Sequence, residues 1–424
     1  MLNAPNSFSI SDSYAWNSTL SYTGSTADKA WSWLVNYTFA KNKSVSTRFE
    51  DANDPYQSYY AIKYPFSYGN SVDIVDMDQI QAQLTYDHRL FSLTGGFDYM
   101  VYDGRSGTKD EVEPSFKHKD VAGYLMGKLR LLDGKLIFTA GGRWDAFKLT
   151  NFEDDGYSEK NFAPSFGIAY SPVDFLKLRA QYSEGFSVPN YFQLFGGYGG
   201  WYVPNLDLKP QQNKTIEFGA DVEVANITGS VTYFISQFKN KFVTVQTGPF
   251  QSQYRNLGST TLAGLEMYLS YDIGKALGQE FSLSPYVNLT WMTEAKNKDT
   301  VNYVPQAPNE LPNIPDLLVS YGISFEYPSV HLSARLNANY FGKEWRQDWE
   351  DPTYLATGGD PPWERTGGFT VVDLSVSKRI LDFEDKGYLQ LDAKVGNVLD
   401  TAKAYNPVVV IPGRNFFLSL SYNY

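Results

Sequence analysis

The chain has no cysteine. Disulfide frameworks, thiolate metal sites and cysteine nucleophiles are excluded with it. Histidine is almost as scarce: His88, His118 and His331 stand far apart, without metal-ligand spacing. No apolar run reaches the ~18 residues a spanning helix needs, and mean hydropathy is −0.36. Basic residues are the minority, 36 against 47 acidic, giving a net charge of −11. That balance argues against a partner tracked by its phosphates, so no nucleic acid is expected. Leu2-Asn3-Ala4-Pro5 follow Met1 with neither a basic nor an apolar stretch, so no signal peptide is expected here. No nucleophile–base or catalytic carboxylate constellation is recognisable. The expectation is therefore no enzyme, no metal site and no cofactor.

What is abundant is aromatic. Tyr 32, Phe 28 and Trp 9 amount to 16% of the chain. Such rings collect in girdles where a membrane barrel crosses its two lipid–water interfaces. The final strand shows the pattern that goes with it. Phe416, Leu418, Leu420, Tyr422 and Tyr424 fall on one face; Asn415, Phe417, Ser419, Ser421 and Asn423 fall on the other. One greasy face and one mostly small, polar face suit a strand between lipid and a wet lumen. A soluble β-sandwich strand has the same period, so repetition is what decides.

The pattern repeats. Trp31, Trp33, Val35, Tyr37 and Phe39 alternate with Ser32, Leu34, Asn36 and Thr38. Ile80, Ala82 and Leu84 alternate with Gln79, Gln81 and Gln83, a glutamine row costly to bury dry but cheap in a wet lumen. Leu176, Leu178, Ala180 and Tyr182 oppose Lys177, Arg179, Gln181 and Ser183. Leu332, Ala334, Leu336, Ala338 and Tyr340 oppose His331, Ser333, Arg335, Asn337 and Asn339. On this reading Lys177, Arg179, His331 and Arg335 face the lumen. Gly104–Phe116 reads as a loop, as does the segment 41–76.

Counted back from the C-terminus, long connections (near 397–413, 342–368, 294–315 and 186–211) alternate with tight turns. Long extracellular loops opposite short periplasmic turns are the outer-membrane pattern. The fold expected is all-β: a transmembrane antiparallel β-barrel, roughly seventeen strands, in one domain over 1–424. A closed barrel with both ends on one side needs an even number, so a strand is missing or hidden in Leu2–Ile10.

Several blocks resemble TonB-dependent outer-membrane receptors. They are Tyr182-Ser183-Glu184-Gly185-Phe186-Ser187-Val188-Pro189, Pro204-Asn205-Leu206-Asp207-Leu208-Lys209-Pro210-Gln211 and Glu217-Phe218-Gly219. Tyr254-Arg255-Asn256 with Gly264-Leu265-Glu266 follows, then Gly396-Asn397-Val398-Leu399-Asp400 with Pro412-Gly413-Arg414. Gly142-Arg143-Trp144-Asp145 also fits, whereas Gln211 stands where the family has Glu. The resemblance implies a barrel of about 22 strands around a plug that engages the inner-membrane TonB complex. Neither plug nor TonB box is visible, so the plug and first strands are expected on another polypeptide or absent. It further implies uptake of a scarce nutrient as a small-molecule metal chelate, a ferric siderophore first, with cobalamin or haem as rivals. A passive porin is the reading from a different class. Location in the bacterial outer membrane, contact with its lipid, and handling by the barrel assembly machinery are implied as well. The assembly signal would be Phe416, Leu418, Leu420, Tyr422 and Tyr424.

Ligand contact is expected from loop aromatics and guanidiniums, which stack on flat ligands and pair with anions. The candidates are Phe195, Tyr198, Trp201 and Tyr202 in one loop, and Trp345, Arg346, Trp349, Tyr354, Trp363 and Arg365 in another. The alternative is that these rings pack the loops or anchor them at the interface. Glu153, Asp154 and Asp155 could take a cation, but a solvated turn is the simpler expectation.

Overall fold

The structure is a computed structural model. It describes residues 8–49, 71–108, 112–151, 156–197, 201–248, 251–298, 310–348, 351, 362–383, 386–406 and 409–424. Among the described residues twenty strands form, in chain order. They are β1 (Phe8–Ser25), β2 (Trp31–Phe49), β3 (Ser71–Asp87), β4 (Phe91–Thr108), β5 (Val112–Leu131), β6 (Leu136–Asn151), β7 (Gly156–Val173), β8 (Leu176–Ser187), β9 (Tyr202–Val203) and β10 (Gln211–Val224). There follow β11 (Ile227–Gly248), β12 (Gln251–Tyr271), β13 (Ser282–Asn297), β14 (Leu317–Tyr327), β15 (Leu332–Gln347), β16 (Trp363–Asp382), β17 (Tyr388–Gly396), β18 (Ala404–Asn406), β19 (Val409–Val410) and β20 (Asn415–Asn423). Setting aside the two- and three-residue β9, β18 and β19 leaves seventeen long strands, the number the alternation gives. Two short helices, α1 (Tyr191–Phe195) and α2 (Ile273–Ala276), and two single 3-10 turns, Leu132–Gly134 and Pro328–Val330, complete the described elements. Among the described residues no helix is long and apolar enough to cross a membrane, which says nothing against crossing by strands.

The chain divides into two compact units. The first holds 1–168, 182–214 and 238–258; the second holds 169–181, 215–237 and 259–424. In the first, β1 to β6 pair in sequence, each antiparallel to the next. In the second, β12 to β17 and then β20 do the same. A meander of this kind pairs neighbours in sequence, so each register is set by the turn between them.

The turns explain why the strands stop where they do. Ala225 (φ 48°) and Asn226 (φ 66°) link β10 to β11, two consecutive left-handed residues that suit the twist of a hairpin. Leu132, Asp133 and Gly134 link β5 to β6 with φ of 52°, 53° and 87°. Thr26–Ala30 is closed by Asp28, whose carboxylate accepts from the Thr26 hydroxyl and, at 3.0 Å, the Ala30 N–H. Those donors hold its carboxyl below the usual range. His331 (φ 47°) ends the Pro328–Val330 turn and is exposed; β15 begins one residue later. Its expected place on the lumen face is therefore corrected: it is a turn residue.

Two segments read as loops are strand. β4 continues to Thr108 and β5 starts at Val112, through most of the expected Gly104–Phe116 loop. β2 runs on to Phe49 and β3 starts at Ser71, so the expected 41–76 loop shrinks from both sides. A membrane strand needs only ~9–11 residues, so strands of 16 to 20 residues in the first unit project well past an apolar band. β1 likewise starts at Phe8 and takes in Ile10 of the supposed hidden strand, while Leu2–Ser7 lie outside the described residues.

Apolar side chains of the strands mostly point away from any core. Leu20 (74% exposed), Leu125 (56%), Phe162 (58%), Trp291 (52%) and Leu418 (72%) are typical. The opposite face is polar. In the first unit Tyr124 donates to Gln83 at 2.9 Å, and Arg143 reaches both Asp98 (2.5 Å) and Asp145 (2.8 Å). Asp98, Ala122 and Asp145 are register partners across β4, β5 and β6, whereas Phe97, Gly123 and Trp144 fill the next rung on the other face.

Candidate functional site

The segment after β8 is expected to be a loop, and it folds into a compact knot. Asn190 caps α1: its Oδ1 accepts from the Gln193 N–H at 2.9 Å, and the Gln193 side chain accepts from the Asn190 N–H at 3.0 Å. Gly196 (φ 74°) turns the chain so tightly that a Cβ there would lie 2.3 Å from the Tyr202 carbonyl oxygen. Leu194 and Leu208 are fully buried, packed with Phe147, Leu149 and Tyr157. Burying a leucine stabilises by about 1.5–3 kcal/mol, so this is a small core inside a connection.

Two separate sequence blocks hold that core in place. Asn205 donates to the Tyr254 carbonyl at 2.7 Å and accepts from the Asp207 N–H at 3.1 Å. Asn256 accepts from the Lys209 N–H at 2.7 Å and donates to the Lys209 and Asn240 carbonyls at 2.8 and 2.7 Å. The Asn-containing block at 204–211 and the Tyr-Arg-Asn block at 254–256 are thus two halves of one hydrogen-bonded clasp.

The ring candidates of this segment are mostly used in packing. Phe195 packs on Tyr191, with ring centroids 5.1 Å apart. Tyr202 stacks on Tyr254 at 5.5 Å and meets Phe192 edge-on at 4.8 Å. Trp201 stays 44% exposed. Tyr198 lies outside the described residues. His118 is buried between Tyr102 and Phe147, ring centroids at 4.6 and 6.4 Å. Burial pushes the Tyr157 hydroxyl above its ordinary range, and that oxygen has no hydrogen-bond partner among the described residues.

The second candidate group lies in the other unit. Trp345 donates to Glu310 at 2.6 Å, Arg346 pairs with Glu364 at 2.8 Å, and Arg365 pairs with Asp316 at 2.8 Å. Asp316 also accepts from the Lys343 N–H at 2.8 Å. Both guanidiniums are therefore already neutralised by acids that lie far off in sequence or on the facing strand. Trp363 keeps a buried indole N–H without a partner among the described residues. Trp349 and Tyr354 lie outside the described residues, as do Glu153, Asp154 and Asp155. Glu344 is pushed above its usual range by burial, against which Arg346 pulls.

Of the expected lumen residues, Arg179 reaches Thr232 at 2.5 Å and Asp221 at 3.4 Å. Gly219 makes room for it, since a Cβ there would lie 2.6 Å from the guanidinium carbon. The Glu217-Phe218-Gly219 block thus has a packing reason that sequence spacing alone does not reveal. Arg335 lies 5.8 Å over the Tyr286 ring. Lys177 is exposed. Among the described residues no group of three His, Cys, Asp or Glu could hold a metal ion.

The last block ties the approach to β20. Asn397 (3% exposed, φ 48°) donates to the Thr401 and Pro412 carbonyls and accepts from the Thr401 N–H, all within 3.1 Å. Its own N–H goes to Asp373. Asp400 accepts from the Arg414 N–H at 2.7 Å, and the Arg414 side chain donates to Val398 O at 2.9 Å. β20 then presents Phe416, Leu418, Leu420, Tyr422 and Tyr424, each more than half exposed.

Residues 2–398 match the family model described as TonB dependent receptor-like, beta-barrel. The chain belongs to the TonB-dependent receptor family. It is 26% identical over 348 residues to the ferric enterobactin receptor PirA of Pseudomonas aeruginosa, covering 73% of this chain and 42% of that protein. It is 22% identical over 372 residues to the vitamin B12 transporter BtuB of Vibrio vulnificus, covering 85% of this chain and 50% of that one. In fold it is similar to the FrpB iron transporter of Neisseria meningitidis (F5-1 variant), with a TM-score of 0.74 at 15% identity, covering 97% of this chain and 64% of that structure. The TonB-dependent receptor chain described here thus spans about half or less of the length of those two curated relatives. The family is one of outer-membrane receptors and transporters, not of enzymes. Its fold is the antiparallel β-barrel of these receptors.

Proposed function

We propose that this chain is the barrel wall of a receptor that captures a ferric siderophore and passes it across the outer membrane, energised by TonB. The observation that carries this reading is the likeness to the Pseudomonas ferric enterobactin receptor over 73% of the chain. The folded knot around Leu194 and Leu208 supports it, because it gives the long-loop side a rigid platform for ligand-bearing loops. The group that plugs the lumen and meets TonB lies, on this reading, on polypeptide beyond these 424 residues. Trp201 and Trp363 are the candidates left for ligand contact in the described part, one by exposure and one by its unpartnered indole N–H. Tyr198, Trp349 and Tyr354 complete the proposed set. The exposed β20 face is proposed as the signal read by the barrel assembly machinery.

A binding panel tests the cargo. Cells that carry only this receptor would be held on ice with radiolabelled ferric catecholate, haem or cobalamin. Tight, saturable binding of the ferric catecholate alone is expected. Binding of cobalamin or haem instead would move the cargo while keeping the receptor reading.

A further inference from the structure

The lipid-side face of β4 to β7 carries charge just above its apolar band. On β5 this face runs Lys117, Lys119, Val121, Gly123, Leu125, Gly127 and Leu129 from the long-loop side downward, and on β6 it runs Thr150, Lys148, Ala146, Trp144 and Gly142. Most charges at this level are matched within the sheet. Lys41 and Arg105 both pair with Asp76, Lys117 pairs with Asp103 at 3.1 Å, and Tyr37 donates to Asp78 at 2.5 Å. Lys119 and Lys148 are not matched in this way. They are direct cross-strand partners, both exposed, and among the described residues neither meets an acid. Like charges directly opposite on neighbouring strands repel. Lys160 adds a third cation on the face of β7 that also bears Phe162 and Phe166.

The surroundings of the pair are shaped. Gly156 has no Cβ, and one built there would sit 3.6 Å from Lys148 Cε, so the lysine lies across the glycine. Below the pair this face carries two small residues: Ala146 stands beside Val121, and Gly123 stands between Phe97 (45% exposed) and Trp144 (44%). A Cβ on Gly123 would meet nothing closer than 3.9 Å.

We propose that Lys119 and Lys148 form a headgroup site for a phosphorylated membrane lipid, with an acyl chain lying along Ala146 and Gly123. A phosphate between two ammonium groups removes their repulsion and adds charge-assisted hydrogen bonds. The cations and the small residues are neighbours on one face, as headgroup and chain are in a lipid. The proposal rests on the outer-membrane reading of the apolar face but not on the cargo.

The test is native mass spectrometry of the whole receptor, purified from outer membranes in a non-ionic detergent. It would be titrated with diphosphorylated lipid A, with the dephosphorylated lipid and with inorganic phosphate. The expected result is saturable binding of the phosphorylated lipid, on the order of tenfold weaker in a K119Q/K148Q variant and little changed in K117Q. Heat-modifiable migration in gels would confirm that each variant is folded. Equal binding of the dephosphorylated lipid, competition by inorganic phosphate at the same concentration, or an unchanged K119Q/K148Q variant would each overturn the proposal. Absence of any adduct would do so too. A receptor that binds lipid yet fails the cargo panel separates the two readings.

Discussion

Asn256 holds both backbone polar groups of Lys209, accepting from its N–H at 2.7 Å and donating to its carbonyl at 2.8 Å. One side chain thereby imitates a β-bridge where no strand can run, because Pro210 follows immediately. Asn256→Asp keeps the acceptor but cannot donate to Lys209 O or Asn240 O. It is expected to destabilise the clasp by about 1–3 kcal/mol, because two carbonyls lose their donor and face a carboxylate oxygen instead. Limited proteolysis of the 186–211 segment should speed up while the barrel strands stay protected.

Gly219 and Arg179 give a second prediction. Gly219→Ala places a methyl carbon against the guanidinium and should push Arg179 off Thr232 and Asp221. A loss of about 1–3 kcal/mol is expected from overpacking. Adding Arg179→Ala should recover part of it, since the clash vanishes. A double-mutant cycle by thermal unfolding in detergent reads the coupling; strict additivity would contradict the contact.

A third concerns Asn397, which combines a left-handed backbone with three side-chain hydrogen bonds. Asn397→Gly keeps the backbone and loses the side-chain bonds; Asn397→Ala loses both. The alanine variant should therefore be the less stable, by about 1 kcal/mol or more. The amount of folded protein reaching the outer membrane is the simplest readout, as Asn397 sets the approach to β20.

Acid should loosen the β12–β13 connection. Burial of Asp272 raises its pKa, but the Lys275 N–H, the Ser282 hydroxyl, the Leu283 N–H and the Lys275 charge outweigh it, and the net shift is downward. A depressed folded pKa means the stabilisation is complete above the unfolded value of about 3.9 and is lost as pH falls through the folded value. Hydrogen exchange at 272–282 should therefore rise below about pH 4, and the Asp272→Asn variant should show no such rise.

How far the sequence reached is clearest from particular strands. β15 was legible because Leu336 and Asn337 stand on an apolar and a polar face, and that contrast fades where a strand runs past the apolar band. The extensions of β4 and β5 past Asp103 and Lys117 therefore look like loop in sequence. The knot was not legible either. Phe195 and Tyr202 are as suited to stacking on a flat ligand as on Tyr191 and Tyr254, and only the fold shows which rings are near. The same holds for Arg365, whose partner Asp316 is on a different strand connection. His331 was misplaced by one residue, since a turn of the Pro328–Val330 type absorbs the strand's expected first position.

Energised uptake of a ferric siderophore is the function proposed for this receptor. The most direct measurement is accumulation of iron from a labelled ferric catecholate in cells whose only receptor is this one, with and without a proton-motive force. Accumulation that stops on uncoupling, or on loss of TonB, is the predicted result. Accumulation that continues unchanged would contradict it and make the barrel a passive pore.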